Sequence, residues 1–307
     1  MTPRFAALVI ISAALTLRPF LTSAQAPAQR TFPYPEDAVR ALIDATKAGK
    51  LDELLKIFGS DATELVESSD AATARHNQEI FTVASAEKWH LTDQGANKKI
   101  LSVGNEDWPF PVPLVKGTSG WRFDTAAGKE EVIARRIGRN EIAAIGTCRT
   151  YVAAQREYAK EGRDGKPAGL FATAFHSDAG KHNGLYWQAA RHERSSPLGD
   201  LVAKASLEGR QLGDRDRPLP FYGYYFKILT TQGAAAPGGA KSYLVNGELS
   251  GGFALVAWPS QYDATGVMTF VVNQSGVVYE KDLGAQTETT TASMTTYNPD
   301  STWHRVR

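Results

Sequence analysis

The chain has a single cysteine, Cys148, and only three methionines in 307 residues. One thiol cannot form an internal disulfide, so a stapled scaffold is excluded and stability must come from packed apolar cores. The formal net charge is +1, too small to draw the protein to nucleic acid or to an anionic membrane surface. Beyond the first residues no stretch approaches the length of a membrane span. No cysteine follows the N-terminal apolar run, which excludes a lipoprotein attachment signal. Motifs that would name a reaction are missing too: there is no GxSxG elbow, HExxH helix, P-loop or dinucleotide fingerprint.

The composition that remains, 42% hydrophobic and 22% charged, is that of a globular chain. Its length allows about one to two domains plus a leader. The leader reads as a secretory signal: Arg4, an apolar stretch over 5–17, then Ala24-Gln25-Ala26 as a cleavage site, with a mature start at Pro27. Arg18 and Pro19 interrupt any continuation of that stretch into an uncleaved anchor. The expected compartment is the periplasm or the exterior of the cell.

Helical spacing then appears at Val39, Leu42, Ile43 and Ala45, ended by Gly49, and again over 51–58 and 70–90. Extended patterns follow at 89–92, 99–103 and 112–115, with Gly120-Trp121-Arg122-Phe123-Asp124 alternating apolar and polar residues. Pro109, Pro111 and Pro113 mark an edge or a bend, because proline cannot donate to a central ladder. The longest helical pattern spans 130–161. Wound at about 100° per residue, it gathers Ile133, Ile137, Ala144, Ile145, Cys148, Tyr151, Val152, Tyr158 and Ala159 on one face. Five arginines lie off that face among glutamates, which reads as a solvated surface and not as a nucleic-acid stripe. Glu141 and Gln155 fall near the centre of the apolar face and are expected to be buried polar groups that fix the helix against the module beside it. Cys148 on the same face is expected to be a buried, inert thiol.

After this helix, 161–220 is rich in Gly, Pro and charge, with one short helix over 198–208. Strand patterns return at 222–231, 252–258, 269–273 and 277–281, with Asn273-Gln274-Ser275-Gly276 as a hairpin turn. Residues 285–307 form a Thr-rich tail in which Trp303 is expected to dock. The boundaries expected are a signal peptide at 1–26, an α+β module at 27–128, a second α+β domain at 129–284 with an irregular insertion at 161–220, and the tail at 285–307.

Helices followed by strands ending in Gly-Trp-Arg-Phe resemble a SnoaL-like cone over about 33–125. The run Asn140-Glu141, Ala144-Ile145, Arg149-Thr150, Ala154-Gln155 and Tyr158, with the strands after it, resembles the globular part of type IV pilins and pseudopilins over about 130–282. That resemblance implies a long helix packed on an antiparallel sheet. A pilus fibre is not expected, because five arginines in a fibre core would need partners. Asp107-Trp108-Pro109-Phe110-Pro111, Gly184-Leu185-Tyr186-Trp187, Ser196-Pro197-Leu198-Gly199 and Pro220-Phe221-Tyr222-Gly223-Tyr224 resemble the exported bacterial family called domain of unknown function 2950 over nearly the whole mature chain. The family carries no assigned reaction, so the resemblance implies none.

The strongest site candidate is 175–187, which mixes His, Asp and aromatics in a Gly-rich loop. His176, Asp178 and His182 are the residue types that hold zinc, although their spacing matches no established zinc motif. The alternative is a structural loop tied down by Tyr186 and Trp187, or an interaction loop formed by Asn183, Tyr186 and Trp187. Arg163-Asp164-Gly165-Lys166 is similar to part of a calcium loop but has too few carboxylates. Ser195 and Ser196 lie near His192 without a third partner. The expected function is a non-catalytic binding or structural module of the bacterial cell envelope, with no cofactor, acting on an envelope protein or a small ligand. The alternative is a ligand-binding or hydrolytic enzyme using a pocket in the N-terminal cone or the 175–187 loop. A pocket of convergent Asp, His or Arg favours the enzyme; an exposed aromatic patch at Tyr186 and Trp187 favours the binding module.

Overall fold

Apolar spacing and turn residues account for the first helices. Helix α1 (Pro35–Lys47) starts on a proline with Glu36 and Asp37 in its first turn, and it buries Ala38, Val39 and Leu42. Helix α2 (Leu51–Phe58) buries Ile57 and Phe58. Helix α3 covers Ala71–Glu87. The computed structural model to which these elements belong describes residues 28–63, 71–207 and 219–307. The expected leader at 1–26 lies outside those residues, as does the stretch 208–218 of the expected insertion.

The chain divides into two compact units, Met1–Thr125 and Ala126–Arg307. In the first, β1 (Trp89–Asp93), β2 (Lys98–Val103), β4 (Leu114–Gly117) and β5 (Gly120–Phe123) form an antiparallel sheet in that order, with β3 (Trp108–Pro109) paired to β2. Alternation decides what is buried: in β5, Trp121 and Phe123 are buried while Arg122 is exposed. Phe58, Phe81, Phe110 and Phe123 form an aromatic cluster with ring centroids 5.1–6.4 Å apart between helices and sheet. The Gln29 amide closes the unit, donating to Phe123 O at 2.7 Å and Ile57 O at 3.0 Å.

In the second unit, helix α4 (Thr125–Tyr158) lies with an antiparallel sheet of order β15-β13-β12-β11-β6. These strands are β6 (Tyr224–Leu229), β11 (Ala254–Pro259), β12 (Met268–Asn273), β13 (Val278–Asp282) and β15 (His304–Arg305). The fold is therefore α+β, with a long helix on an antiparallel sheet. Short strands surround the main sheet: β7 (Thr231–Gln232) with β8 (Lys241–Ser242) and β14 (Thr296–Tyr297), and a hairpin of β9 (Leu244–Val245) and β10 (Glu248–Leu249). Helix α5 covers Gly199–Leu207 and α6 covers Thr287–Ser293.

Two expectations about α4 need correction. It starts at Thr125, not at 130, because Ala126, Ala127 and Gly128 are too small to show an apolar stripe. Its expected apolar face is also only half used. Ala144, Cys148, Tyr151, Val152 and Tyr158 are buried, but Ile133 is 37% exposed and Ile137, Ile145 and Ala159 are only half-buried. Length explains this. Thirty-four helical residues run roughly 50 Å, whereas the six-residue strands span roughly 20 Å. The sheet covers only the C-terminal half of the helix.

Both faces of the sheet are covered. Tyr224 on β6 faces Glu141 of α4. Lys227, of opposite parity on the same strand, turns to α6 and donates to the carbonyls of Thr291 and Ala292. The Thr-rich tail, expected only to dock through Trp303, is thus a packing layer. Thr287 and Thr291 are buried in it, and the run from Thr269 to Val272 is buried on both sides. Trp303 is half-buried against the same core.

Candidate functional site

The site of greatest chemical interest is built by the turn that ends α4 and by the loops that fold back on it. Asp164 and Gly165 both have positive φ, 50° and 80°. Arg163 and Lys166 exchange backbone hydrogen bonds across them, Arg163 N to Lys166 O at 3.1 Å and Lys166 N to Arg163 O at 2.9 Å. This is the two-residue Asp-Gly hairpin turn that right-handed strand twist prefers, and not part of a calcium loop. It sets the Arg163 and Lys166 side chains beside each other. Lys166 is held by Glu248 of β10 at 2.9 and 3.1 Å.

Arg163 is held differently. Its guanidinium lies over the rings of Tyr158 at 5.0 Å and Trp187 at 5.1 Å. Its side chain is only 14% exposed, and its single carboxylate neighbour, Glu161, stands 4.0 Å away. Nε is shielded from solvent without an acceptor. Among the described residues no acceptor lies within hydrogen-bonding distance of any guanidinium nitrogen. The guanidinium is thus fixed by two aromatic rings, with Nε shielded and unpartnered and the terminal amino groups facing the remaining opening. It forms part of the wall of a cleft of about 110 Å³ lined also by Tyr158, Glu161, Asp164, Phe171 and Glu248.

The loop expected to carry the site supports this wall. Gly184 allows the chain to pass close to His176, since a Cβ there would stand 2.5 Å from the His176 carbonyl carbon. That approach lets Ser177 N donate to Tyr186 O at 2.8 Å. His182 is clamped: Nε2 is 2.7 Å from Glu193 Oε1, Nδ1 is 3.5 Å from Asp164 Oδ1, and its backbone N–H donates to Asp164 Oδ2 at 2.8 Å. Its ring meets Trp187 edge-on at 4.7 Å. The Tyr158 hydroxyl donates to His182 O at 2.8 Å, and burial pushes its pKa up. The Glu193 carboxyl is held below the usual glutamate range, first by the Ala190 N–H and then by His182.

The three expected zinc candidates therefore do not converge. His176 packs against Tyr186 at 5.6 Å. Asp178 exchanges hydrogen bonds with Asn183, at 2.9 Å through its backbone N–H and at 2.8 Å through its carboxylate. His182 goes to Glu193 and Asp164. Among the described residues no three His, Cys, Asp or Glu side chains are placed to hold a metal ion. Tyr186 and Trp187 are half-buried and engaged within the unit, so the exposed aromatic patch is not formed. Ser195 and His192 are exposed, Ser196 is buried, and the serines make no hydrogen bond to the histidine.

The groove of the first unit is larger, about 390 Å³. It is lined by α1, α2 and Arg30, with no residue of the sheet. It is an outer helical surface with exposed ion pairs such as Arg40–Asp37, and not the interior of a cone. The cleft at Arg163 is smaller, but its wall carries a guanidinium stacked on two rings with Nε shielded and unpartnered, and the groove of the first unit has no such feature among its lining residues.

Compared with known families, the chain matches the model described as a protein of unknown function (DUF2950) over residues 29–306. The chain belongs to this family. No curated protein and no solved structure matches it. In this DUF2950 member the segments Gly184-Leu185-Tyr186-Trp187 and 158–166 meet at the Arg163 stack.

Of the expected interaction loop, Asn183 lines this cleft and Trp187 stacks on Arg163, whereas Tyr186 packs on His176; Tyr158, Arg163, Glu193 and Glu248 carried no such expectation from sequence. The Asp164-Gly165 turn was the available signal. Glu141 and Gln155 lie apart from the cleft. Glu141 is half-buried, not buried, because its carboxylate reaches the end of the sheet, where Oε1 accepts from Val267 N at 2.9 Å and Met268 N at 3.0 Å. Gln155 is fully buried. Its Nε2 donates to Ala172 O at 2.8 Å and to Tyr151 OH at 3.1 Å, and its Oε1 accepts from Ala172 N at 2.8 Å. Both tie the helix to its own unit and not to a neighbouring module.

Proposed function

We propose that this protein is an exported, non-catalytic binding module of the bacterial cell envelope, and that the Arg163 cleft is its binding site. The observation that carries the reading is the Arg163 guanidinium, stacked on two rings at a cleft wall, with Nε shielded and unpartnered and its terminal amino groups making no hydrogen bond to a described residue. Those amino groups are fixed donors that an acceptor from outside the chain can complete. The surrounding carboxylates are already engaged: Glu161 by Arg194, Asp164 by the His182 N–H, and Glu248 by Lys166. Each therefore has one partner in place and further lone pairs that can accept a hydrogen bond, which makes it an acceptor of the rim and not a free base. The single thiol, Cys148, is buried and its pKa is pushed up to about 12, which removes it as a nucleophile. The signal-like leader and the family resemblance support export. The pilin-like arrangement of helix and sheet supports a scaffold that presents loops.

The test is a thermal-shift screen of the chain from Pro27 onward against small charged molecules, run beside the Arg163→Met variant. At least one class of molecule should stabilise the wild type and not the variant, and NMR of the mixture should show that molecule unchanged after prolonged incubation. Turnover of the molecule, or stabilisation that ignores Arg163, contradicts the proposal. Export is tested by N-terminal sequencing of protein recovered outside the cytoplasm, which should begin at Pro27.

A further inference from the structure

Charge around the Arg163 cleft is mixed. Three carboxylates, Glu161, Asp164 and Glu248, stand against two cations, Arg163 and Lys166. A simple anion would satisfy the guanidinium but meet the carboxylates. A simple cation would suit the carboxylates but leave the guanidinium as it is. A molecule carrying both charges a few ångströms apart suits both, provided it fits a space of about 110 Å³. That volume is far below the ~300 Å³ at which drug-sized sites begin.

We propose that the cleft binds small zwitterions, α-amino acids with side chains no larger than those of alanine or serine. The carboxylate takes the Arg163 fork, a geometry guanidinium satisfies with two parallel hydrogen bonds. The ammonium faces the carboxylate rim, and the Cα–Cβ portion rests on Phe171 and Tyr158. Lys166 serves as a brace, because its ammonium is already committed to Glu248. The Asp-Gly turn keeps Arg163 and the rim at fixed separation, so the site is formed before the ligand arrives.

The inference rests on the binding reading above, and its test separates the two. Calorimetric titrations of the chain from Pro27 onward use glycine, L-alanine, L-leucine, acetate and methylammonium. Glycine and alanine should bind at least ten-fold more tightly than acetate or methylammonium, and leucine should bind at least ten-fold more weakly than alanine. Arg163→Met and Arg163→Lys should each weaken glycine at least ten-fold. The lysine variant keeps the charge but loses the fork, and the comparison among ligands on the wild type stands even if a variant folds poorly. If acetate binds as well as glycine, the zwitterion assignment fails while an anion-binding module survives. Methylammonium matching glycine overturns the assignment in the same way. Leucine binding as tightly as alanine removes the size limit. If none of the five binds, the zwitterion assignment is wrong, and the broader reading then depends on the thermal-shift screen.

Discussion

Replacing Gln155 with leucine should destabilise the second unit by about 3 kcal/mol, and the structure gives the reason. Gln155 is fully buried and completes three groups at once: Ala172 N, Ala172 O and the Tyr151 hydroxyl. Leucine fills a similar volume, so the cavity contribution is small. What remains is the cost of leaving the Ala172 N–H and C=O buried without partners, ~1–3 kcal/mol each. The tyrosine is less affected, since its hydroxyl still donates to Ala254 O at 3.2 Å. Partial relaxation of the loop brings the sum to about 3 kcal/mol. In a unit of this size each kcal/mol moves the melting temperature by ~2–4 °C, so calorimetry should record a fall of roughly 6–12 °C. Gln155→Glu adds a sign test. Burial favours its neutral acid, which can still donate and accept, so its deficit should be larger at pH 7 than at pH 4.5. A Gln155→Leu protein that melts within about 2 °C of wild type would refute the reasoning.

Glu141 should behave more mildly, because it is half-buried. Glu141→Gln keeps an oxygen for Val267 N and Met268 N and should cost ~1 kcal/mol, whereas Glu141→Leu should cost ~2 kcal/mol; equal melting temperatures for both variants and wild type would show that the clamp contributes nothing. Burial raises the pKa values of Tyr151, Tyr224 and Tyr297, so the folded state keeps them neutral. Their contribution is complete below the unfolded tyrosine pKa of ~10 and is lost as pH rises above it. The urea midpoint should fall between pH 9.5 and 11.5, by less in Tyr151→Phe, and a flat profile would contradict this. Cys148 should react with a thiol reagent at pH 8 only as fast as the unit unfolds, and rapid labelling in native buffer would show that its burial is wrong.

Much of the architecture could be read from spacing alone. The stripe from Ala144 to Tyr158 and the alternation in Gly120–Phe123 each express one face against one core, which is what periodicity reports. The tail could not be read in this way. Its helix is written in threonines, whose hydroxyls return to the backbone, as Thr291 does to Thr287 O at 2.8 Å, and no apolar stripe marks it. The hairpin at Asn246-Gly247 was legible by its turn residues and was overlooked because its strands are only two residues long. For the site, the loop 175–187 stood out by composition, but its partners come from positions 158, 163, 193 and 248. Convergence across such distances is a product of packing. The zinc expectation failed for a related reason: residue types were right, yet Asp178 satisfies Asn183 and His182 satisfies Glu193 before any ion is considered.

The most direct test of the account is the NMR signal of the Arg163 side-chain Nε–H, assigned by its loss in Arg163→Lys and followed while glycine is added. The structure predicts a resolved signal that shifts progressively and saturates with glycine, and that moves little with methylammonium. An Arg163 signal that exchanges freely with water and ignores glycine would contradict both the shielded Nε–H and the ligand assigned to its guanidinium.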